Sequence, residues 1–162
     1  MLKLEFPEEK YKYAYEKTIN EWKKIEETPT SPGRFFVGEN FDEFFSIVKN
    51  DINNNQNGVN SHLFFLVNDN EVVGAIQIRH TINHPRLIED GGHIGYGIAP
   101  KFRRKGYATK MLYLGLKEAK KIGLKDALIT CDVFNIGSSK VIENNGGIFE
   151  RLSIDGTKKN IG

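Results

Sequence analysis

The chain has 162 residues, of which 39% are hydrophobic and 27% are charged, and its formal net charge is +2. A chain of this length is typical of one globular domain, so we expect a single domain over residues 1–162. The small net charge argues against a nucleic-acid-binding protein, which would carry a strongly basic balance. One cysteine, Cys131, excludes an internal disulfide and a cysteine-based zinc site.

The sequence also lacks apolar segments of the length that membranes require. No run approaches the roughly 20 apolar residues of a membrane span, and the first residues, MLKLEFPEEK, lack the apolar core of a signal peptide. We therefore expect a soluble, cytoplasmic protein without a membrane partner.

Two amphipathic helices are predicted near the N-terminus. Apolar residues recur at steps of three and four between Glu8 and Glu27, and a Pro- and Gly-containing run then ends the pattern. A second helix is predicted from Phe41 to about Asn53, with Asn40 as its N-cap.

Three strands are predicted in the middle of the chain. The apolar runs His62–Val67 and Val72–Ile78 flank a turn, which predicts a hairpin. A third strand covers Ile94–Ile98, and its two glycines, Gly95 and Gly97, indicate a bulge or a close backbone approach.

The last third alternates helices and strands. In chain order we predict a helix over Tyr107–Ile122, a strand over Ala127–Cys131, a helix from Asn135 to about Asn145 and a strand over Ile148–Ile154. Only six residues follow the turn at Asp155-Gly156, so the final strand must be very short. This order predicts an α+β domain around one central sheet.

Charge is distributed unevenly along the chain. The segment from Lys101 to Lys125 holds nine basic residues and one acidic residue, a net of +8, so the rest of the chain sums to −6. Such a local positive field suits a small polyanion. The later lysines of the segment are as well explained by a solvated helix face.

The start of this basic segment joins a strand to a helix. The first backbone N–H groups of a helix have no intrahelical partner, and Gly106 allows a ligand to approach them because it has no Cβ. A phosphate-binding loop is therefore predicted here. The sequence matches neither a Walker P-loop nor a dinucleotide-binding fingerprint.

Two motifs extend this prediction to a family. The pattern Arg103-x-x-Gly106-x-Ala108 resembles the Q/R-x-x-G-x-G/A signature of the GNAT family of acyl-CoA-dependent N-acetyltransferases. The stretch from Asp132 to Gly147 is similar to the family's second motif, which has an asparagine, a small residue three positions later, a helix and a glycine. The resemblance implies a GNAT-like acyl-CoA N-acyltransferase fold, with a mixed central sheet flanked by helices and an abbreviated C-terminal strand.

The resemblance also implies a set of acetyl-CoA-binding residues. They are Ile98, Ala99, Arg103, Arg104, Lys105, Gly106, Tyr107, Ala108, Thr109, Asn135 and Ser138. In this family the pyrophosphate is held by backbone amides, here of residues 104–109, and the pantetheine arm pairs with the strand, here near Ile98 and Ala99. Asn135 would bond the arm with Ser138 beside it, although Asn135 is also explained as a simple N-cap.

Catalysis in the family resembles direct attack of an amine on the thioester, which requires a base and a proton donor. His93 is the first candidate base, Glu89 lies just upstream of it, and His80 is the next candidate. The tyrosine that often protonates the thiolate is replaced by Ile142, so Tyr96, Tyr113 or water would take its place. The four histidines have no metal-site spacing, so we expect no metal.

The predicted activity is transfer of an acetyl group from acetyl-CoA to a primary amine of a small molecule or peptide. The net charge of −6 on the residues outside Lys101–Lys125 favours a cationic acceptor. One alternative is an acyl-CoA-binding module with weak or lost transferase activity, which Ile142 and the short tail would permit. Nucleic-acid binding through Lys101–Lys105 is disfavoured by the low net charge. A homodimer is expected, because the short final strand leaves an exposed sheet edge or is completed by a partner.

Overall fold

The structure, a computed structural model, describes residues 1–25, 32–55, 58–84, 87–88, 91–132, 135–152 and 158–161. Its strands are β1 Leu2–Glu5, β2 Ser61–Asn68, β3 Glu71–Arg79, β4 Ile94–Ile98, β5 Ile129–Asp132, β6 Phe149–Leu152 and β7 Lys158–Ile161. Its α-helices are α1 Lys12–Ile25, α2 Phe41–Asp51, α3 Tyr107–Ile122 and α4 Ile136–Asn144. Short 3-10 turns at Glu9–Tyr11, Gly33–Phe36 and Pro100–Phe102 connect them.

The ends of α2 and α3 are fixed by the residues that flank them. The Asn40 Oδ1 accepts the Glu43 N–H at 3.0 Å, which confirms Asn40 as the N-cap of α2. Gly106 and Gly123 bracket α3 with φ angles of +77° and +111°. These left-handed conformations favour glycine, so the two glycines define where α3 begins and ends.

The first sheet is antiparallel, in the order β1-β2-β3-β4. The predicted hairpin is confirmed: β2 and β3 are joined at Asp69-Asn70, and both residues have a positive φ, as a two-residue hairpin turn requires. Strand β1 was not predicted from the sequence. It pairs along β2, from Leu2 opposite Asn68 to Glu5 opposite Phe65.

Helices cover both faces of this sheet. On one face, the Tyr15 ring of α1 stacks on Phe44 of α2 at 4.4 Å and on Phe65 of β2 at 5.6 Å between ring centroids. On the other face α3 packs so closely that a Cβ at Gly115 would overlap the end of the Ile76 side chain. Because alternate residues of a strand face opposite sides, Phe65 and Ile76 mark the two sides of one layered core.

The second sheet is formed by the C-terminal strands, in the order β5-β7-β6. The expected short last strand is confirmed as β7, which has four residues and lies between β5 and β6. The chain therefore supplies this strand itself, and no partner strand is needed to complete the sheet. The described part of β6 is shorter than the predicted strand, whose last two residues lie outside the described residues.

The two sheets meet where β4 and β5 begin. The His93 N–H donates to the Leu128 carbonyl oxygen at 2.7 Å, and the Leu128 N–H donates to the His93 Nδ1 at 2.9 Å. Gly92 has a φ of +59°, and a Cβ there would overlap the same Leu128 carbonyl. Among the described residues β4 pairs only with β3, so the central sheet is divided and one edge of β4 is left open beyond this junction.

Candidate active site

A cavity of about 620 Å³ opens beside this free edge of β4. It is lined by Trp22, Tyr96, Gly97, Ile98, Phe102, Arg103, Arg104, Gly106, Tyr107, Ala108, Thr109, Asn135, Gly137, Ser138 and Val141. Of the predicted site residues, the cavity brings together Tyr96, Ile98, Arg103, Arg104, Gly106, Tyr107, Ala108, Thr109, Asn135 and Ser138. Its volume lies within the range of about 300–1,000 Å³ that is typical of small-molecule sites.

The first turn of α3 presents unpaired backbone donors to this cavity. The Lys110 N–H makes the first bond of the helix, to the Gly106 oxygen at 3.3 Å. The amides of residues 104–109 have no acceptor within the described part of the chain. A Cβ at Gly106 would meet no atom within 4 Å, so the space above this backbone is open. Together these amides and the positive end of the helix form an anion-binding surface.

Arg103 lines the cavity and also makes contacts that its place in the motif does not predict. Its Nε donates to the Ile98 carbonyl oxygen at 2.9 Å, and its guanidinium lies 5.8 Å from the centre of the Trp22 ring. Arg103 therefore ties the end of β4 to α1. Lys105 is exposed and does not line the cavity.

The open edge of β4 is provided by alternate residues. The Ala99 N–H bonds the Val73 oxygen at 2.9 Å, so Ala99 belongs to a hydrogen-bonded pair with β3 and does not line the cavity. Because such pairs alternate along antiparallel strands, the N–H and C=O groups of Tyr96 and Ile98 point away from β3. The backbone groups on the open edge are therefore those of Tyr96 and Ile98 rather than those of Ala99, and among them the Ile98 carbonyl oxygen already accepts the Arg103 Nε.

The opposite wall of the cavity is the start of α4. The Asn135 Oδ1 accepts the Ser138 N–H at 3.0 Å, so Asn135 is the N-cap of this helix. The Tyr96 hydroxyl lies 2.6 Å from the Ser138 Oγ and joins β4 to α4 across the gap. Burial raises the pKa of Tyr96 to about 12, so its hydroxyl is protonated at neutral pH.

The candidate bases lie away from this wall. His93 does not line the cavity, and its Nδ1 is occupied by the Leu128 N–H. Burial, with a smaller contribution from the Arg79 guanidinium, lowers the pKa of His93. The His80 Nε2 lies 2.8 Å from the His62 Nδ1, and this pair is also absent from the lining. Glu89 lies outside the described residues.

The remaining candidates have ordinary structural environments. Ile142 is 1% exposed in the core, Cys131 is buried, and Tyr113 is exposed on α3 outside the cavity. Within the described ranges, no three His, Cys, Asp or Glu side chains form a group that would hold a metal ion. Of the helices in those ranges, none combines the length and the apolar character of a membrane-spanning segment.

Comparison with protein families shows to which family the chain that forms this cavity belongs. Residues 11–148 match the model of the Acetyltransferase (GNAT) domain. The chain belongs to the GNAT acetyltransferase family. This confirms the predicted fold class and enzyme class, an acetyl-CoA-dependent N-acetyltransferase. No match to a curated protein sequence reaches significance.

Solved structures share the fold of this GNAT domain. The microcin C7 self-immunity acetyltransferase MccE, in complex with acetyl-CoA and AMP, is 22% identical with a TM-score of 0.64 and covers 99% of this chain and 89% of its own. The ribosomal L7/L12 alpha-N-protein acetyltransferase RimL, in complex with coenzyme A, is 18% identical with a TM-score of 0.66, over 99% and 90%. Mutant forms of the spermidine/spermine N-acetyltransferase SpeG from Vibrio cholerae are 18% identical with a TM-score of 0.64. The match covers 99% of this chain and 93% of the SpeG chain.

The residues of this GNAT domain fit a CoA molecule. The unpaired amides of the α3 turn suit a pyrophosphate, and the open β4 edge suits the amide groups of a pantetheine arm. Sequence reasoning missed five lining residues: Trp22, Gly97, Phe102, Gly137 and Val141. Gly97 was noticed as an unusual strand glycine. Trp22 falls within the helix predicted between Glu8 and Glu27, and nothing local shows that this helix reaches the cavity.

Proposed function

We propose that this GNAT domain transfers the acetyl group of acetyl-CoA to a primary amine of a small molecule or peptide, by direct attack of the amine in a ternary complex. One observation carries the proposal: a single cavity joins the unpaired amides at the start of α3 to the open edge of β4. RimL and SpeG, by their names, acetylate a protein amine and polyamines. They support an amine acceptor here.

The bound acetyl-CoA supplies an activated thioester, and the chain supplies its orientation. The backbone amides of residues 104–109 would hold the pyrophosphate, and the dipole of α3 adds to the attraction. The backbone of Tyr96 and Ile98 would pair with the pantetheine arm. Arg103 lines the same cavity, and the bond from its Nε to the Ile98 oxygen fixes where the strand ends. Holding both reactants in line lowers the entropic part of the barrier.

We propose that Tyr96 assists the departing thiolate in place of the missing tyrosine at Ile142. Tyr96 lines the cavity together with Ser138, and its hydroxyl lies 2.6 Å from the Ser138 Oγ. Its pKa of about 12 lies well above that of a thiol, about 8.5. Complete proton transfer to the departing thiolate is therefore unfavourable. Tyr96 instead donates a hydrogen bond that stabilises the negative charge developing on sulfur.

His93 is proposed as a positioning residue, because its Nδ1 and its backbone N–H both bond Leu128. These bonds hold the start of β4 against β5 and so determine where the cavity opens. Glu89 stays a candidate base on sequence grounds alone. A single domain, a homodimer and a cytoplasmic location also stay predictions.

The activity is tested by thermal unfolding with acetyl-CoA, followed by thiol release with a panel of amines. At about 100 times its dissociation constant, acetyl-CoA should stabilise the fold by roughly 2.7 kcal/mol. Stabilisation together with thiol release from one class of amine supports the proposal. Stabilisation with no release from small amines or peptides would leave only an acyl-CoA-binding module, and no stabilisation would contradict the CoA site.

A further inference from the structure

One side-chain amide joins the two helices that form walls of the cavity. Asn145 follows the last residue of α4, and its Nδ2 donates to the Thr109 carbonyl oxygen in the first turn of α3 at 3.2 Å. The same Nδ2 donates to the Val141 carbonyl oxygen of α4 at 3.0 Å. An asparagine amide has two N–H donors, so these two bonds use both of them.

Both acceptors of this amide belong to residues that line the cavity. Thr109 lies on the wall that carries the unpaired backbone amides, and Val141 lies on the α4 wall. Asn145 itself does not line the cavity, and it is partly buried. It therefore joins the two walls without occupying the space that a ligand would fill.

The helix α4 is held by side-chain bonds near both of its ends. Near its start the Ser138 Oγ lies 2.6 Å from the Tyr96 hydroxyl of β4, and after its end Asn145 bonds α3. Among the described strands β4 pairs only with β3, so no hydrogen-bond ladder links it to β5 and to the helix that follows β5. The two side-chain bonds therefore help to determine the width of the cavity.

The neighbouring asparagine of the chain has a different environment. Asn144 is exposed, whereas Asn145 is partly buried and its backbone N–H bonds the Ile142 carbonyl oxygen at 3.1 Å. The φ and ψ angles of Asn145 are −98° and 17°, which residues other than glycine also adopt. Its side chain can thus be changed without backbone strain, and Asn144 provides a matched control.

We propose that Asn145 is a positioning residue for acetyl-CoA, because its amide holds the α3 and α4 walls at the spacing at which one ligand contacts both. The inference rests on the proposed function, in which the diphosphate binds the first turn of α3 and the pantetheine arm lies between β4 and α4. Walls that are already held in place lose less entropy when the ligand binds. Without the amide, only a fraction of the unbound molecules has this spacing, and the apparent affinity falls by that fraction.

Two ligands of different length test the proposal: acetyl-CoA, and 3′-phosphoadenosine 5′-diphosphate, a fragment that lacks the pantetheine arm. The fragment needs only the α3 wall, whereas acetyl-CoA needs both walls. In calorimetric titrations Asn145→Ala should weaken acetyl-CoA binding by roughly threefold to tenfold, as expected for the loss of one hydrogen bond. Its affinity for the fragment should be unchanged, and Asn144→Ala should bind both ligands as the wild type does.

Turnover of an accepted amine provides a second measurement. In Asn145→Ala the KM for acetyl-CoA should rise while kcat is retained, because saturating ligand restores the spacing of the walls. Asn145→Ser keeps one donor and should give an intermediate affinity, and it serves as the second variant if the alanine variant does not fold.

The other outcomes would overturn the inference. An equal loss of affinity for both ligands would mean that Asn145 supports only the anion-binding turn. Reduced stability in urea with unchanged affinity for acetyl-CoA would mean that the amide only stabilises the fold. Binding of acetyl-CoA but not of the fragment to the wild type would contradict the premise that the α3 wall alone holds the diphosphate. If the wild type binds neither ligand, the proposed function itself fails.

Discussion

The Tyr96 hydroxyl and the Ser138 Oγ are 2.6 Å apart, and this bond crosses the gap between β4 and α4. It places a protonated hydroxyl in the cavity wall, although the position seven residues after Asn135 carries a buried isoleucine, Ile142. The hydrogen-bond donor to the departing thiolate would then come from the strand rather than from the helix.

Replacement of Tyr96 by phenylalanine should lower kcat about a hundredfold, because removal of one hydrogen-bond donor from a developing negative charge costs roughly 10²–10³ in kcat. Stabilisation by acetyl-CoA should be retained. Ser138→Ala should have a smaller effect, since the Tyr96 hydroxyl keeps its place and loses only its bond to the Ser138 Oγ. Tyr113→Phe is the matched control, because Tyr113 is exposed on α3 away from the cavity. Steady-state kinetics that show equal activity for Tyr96→Phe and Tyr113→Phe would exclude Tyr96 from catalysis.

The two glycines that bracket α3 offer a matched test of the phosphate site. Gly106 and Gly123 both have positive φ, and a Cβ at either would meet no atom within 4 Å. Alanine at either position should therefore cost a similar amount of stability, about 1–2 kcal/mol, through backbone strain. Only Gly106→Ala should weaken acetyl-CoA binding in calorimetry. Equal affinities in the two variants would show that the ligand does not approach Gly106.

The stability of the domain should fall in acid partly because of His93. Its pKa is lowered in the folded state, mainly by burial, so the unfolded chain binds the proton more readily. Stability contributed by neutral His93 is complete above about pH 6.5 and is lost as the pH falls below it. His62 and His80 also have lowered pKa values and add to the same slope.

Two variants separate titration from hydrogen bonding at this position. His93→Asn offers an oxygen acceptor to the Leu128 N–H and should flatten the decline in stability between pH 7 and 5.5, by about one histidine's share. His93→Ala should lose about 1–3 kcal/mol even at pH 8, because the Leu128 N–H loses its acceptor. Urea unfolding at each pH measures both effects. A slope in His93→Asn equal to that of the wild type would argue that His93 does not titrate on unfolding.

The contact between α3 and β3 should show strong coupling. Gly115→Ala alone is expected to destabilise the fold by about 1–3 kcal/mol, because its Cβ overlaps the Ile76 Cδ1. Ile76→Val removes that methyl group and costs about 0.5–1.5 kcal/mol alone. The double variant should be less destabilised than the sum of the two. If the losses in the free energy of unfolding simply add, α3 must instead move away from β3 in the Gly115→Ala variant.

Features that depend on short stretches of sequence were predictable. The extent of α3, its bounding glycines and the N-cap at Asn40 are encoded within a few residues of each feature. Strand β1 was missed because its four residues are stabilised by pairing with β2, about sixty residues later. A four-residue run with two leucines does not reveal that partner.

The site was predictable in the same uneven way. The anion-binding turn follows from glycine and helix geometry, whereas the environment of Arg103 depends on Trp22, which approaches from a helix eighty residues earlier. The sequence motif places Arg103 beside the phosphates, which stays a prediction, and the structure adds the bond from its Nε to the Ile98 oxygen. Ala99 was assigned to the open edge because the sequence does not show which residues of β4 turn their N–H and C=O groups toward β3. In the structure the Ala99 N–H bonds β3.

The position of β7 has a consequence for folding during translation. Strands β5 and β6 are not paired with each other, and each is bonded only to β7 among the described strands. The ribosome synthesises β7 after both of them, so the second sheet cannot form until these residues emerge. The first sheet with α1, α2 and α3 has all its strands earlier in the chain, so its residues are available for pairing before β7 is synthesised. The anion-binding turn should thus be ordered in the nascent chain before the α4 wall of the cavity is in place.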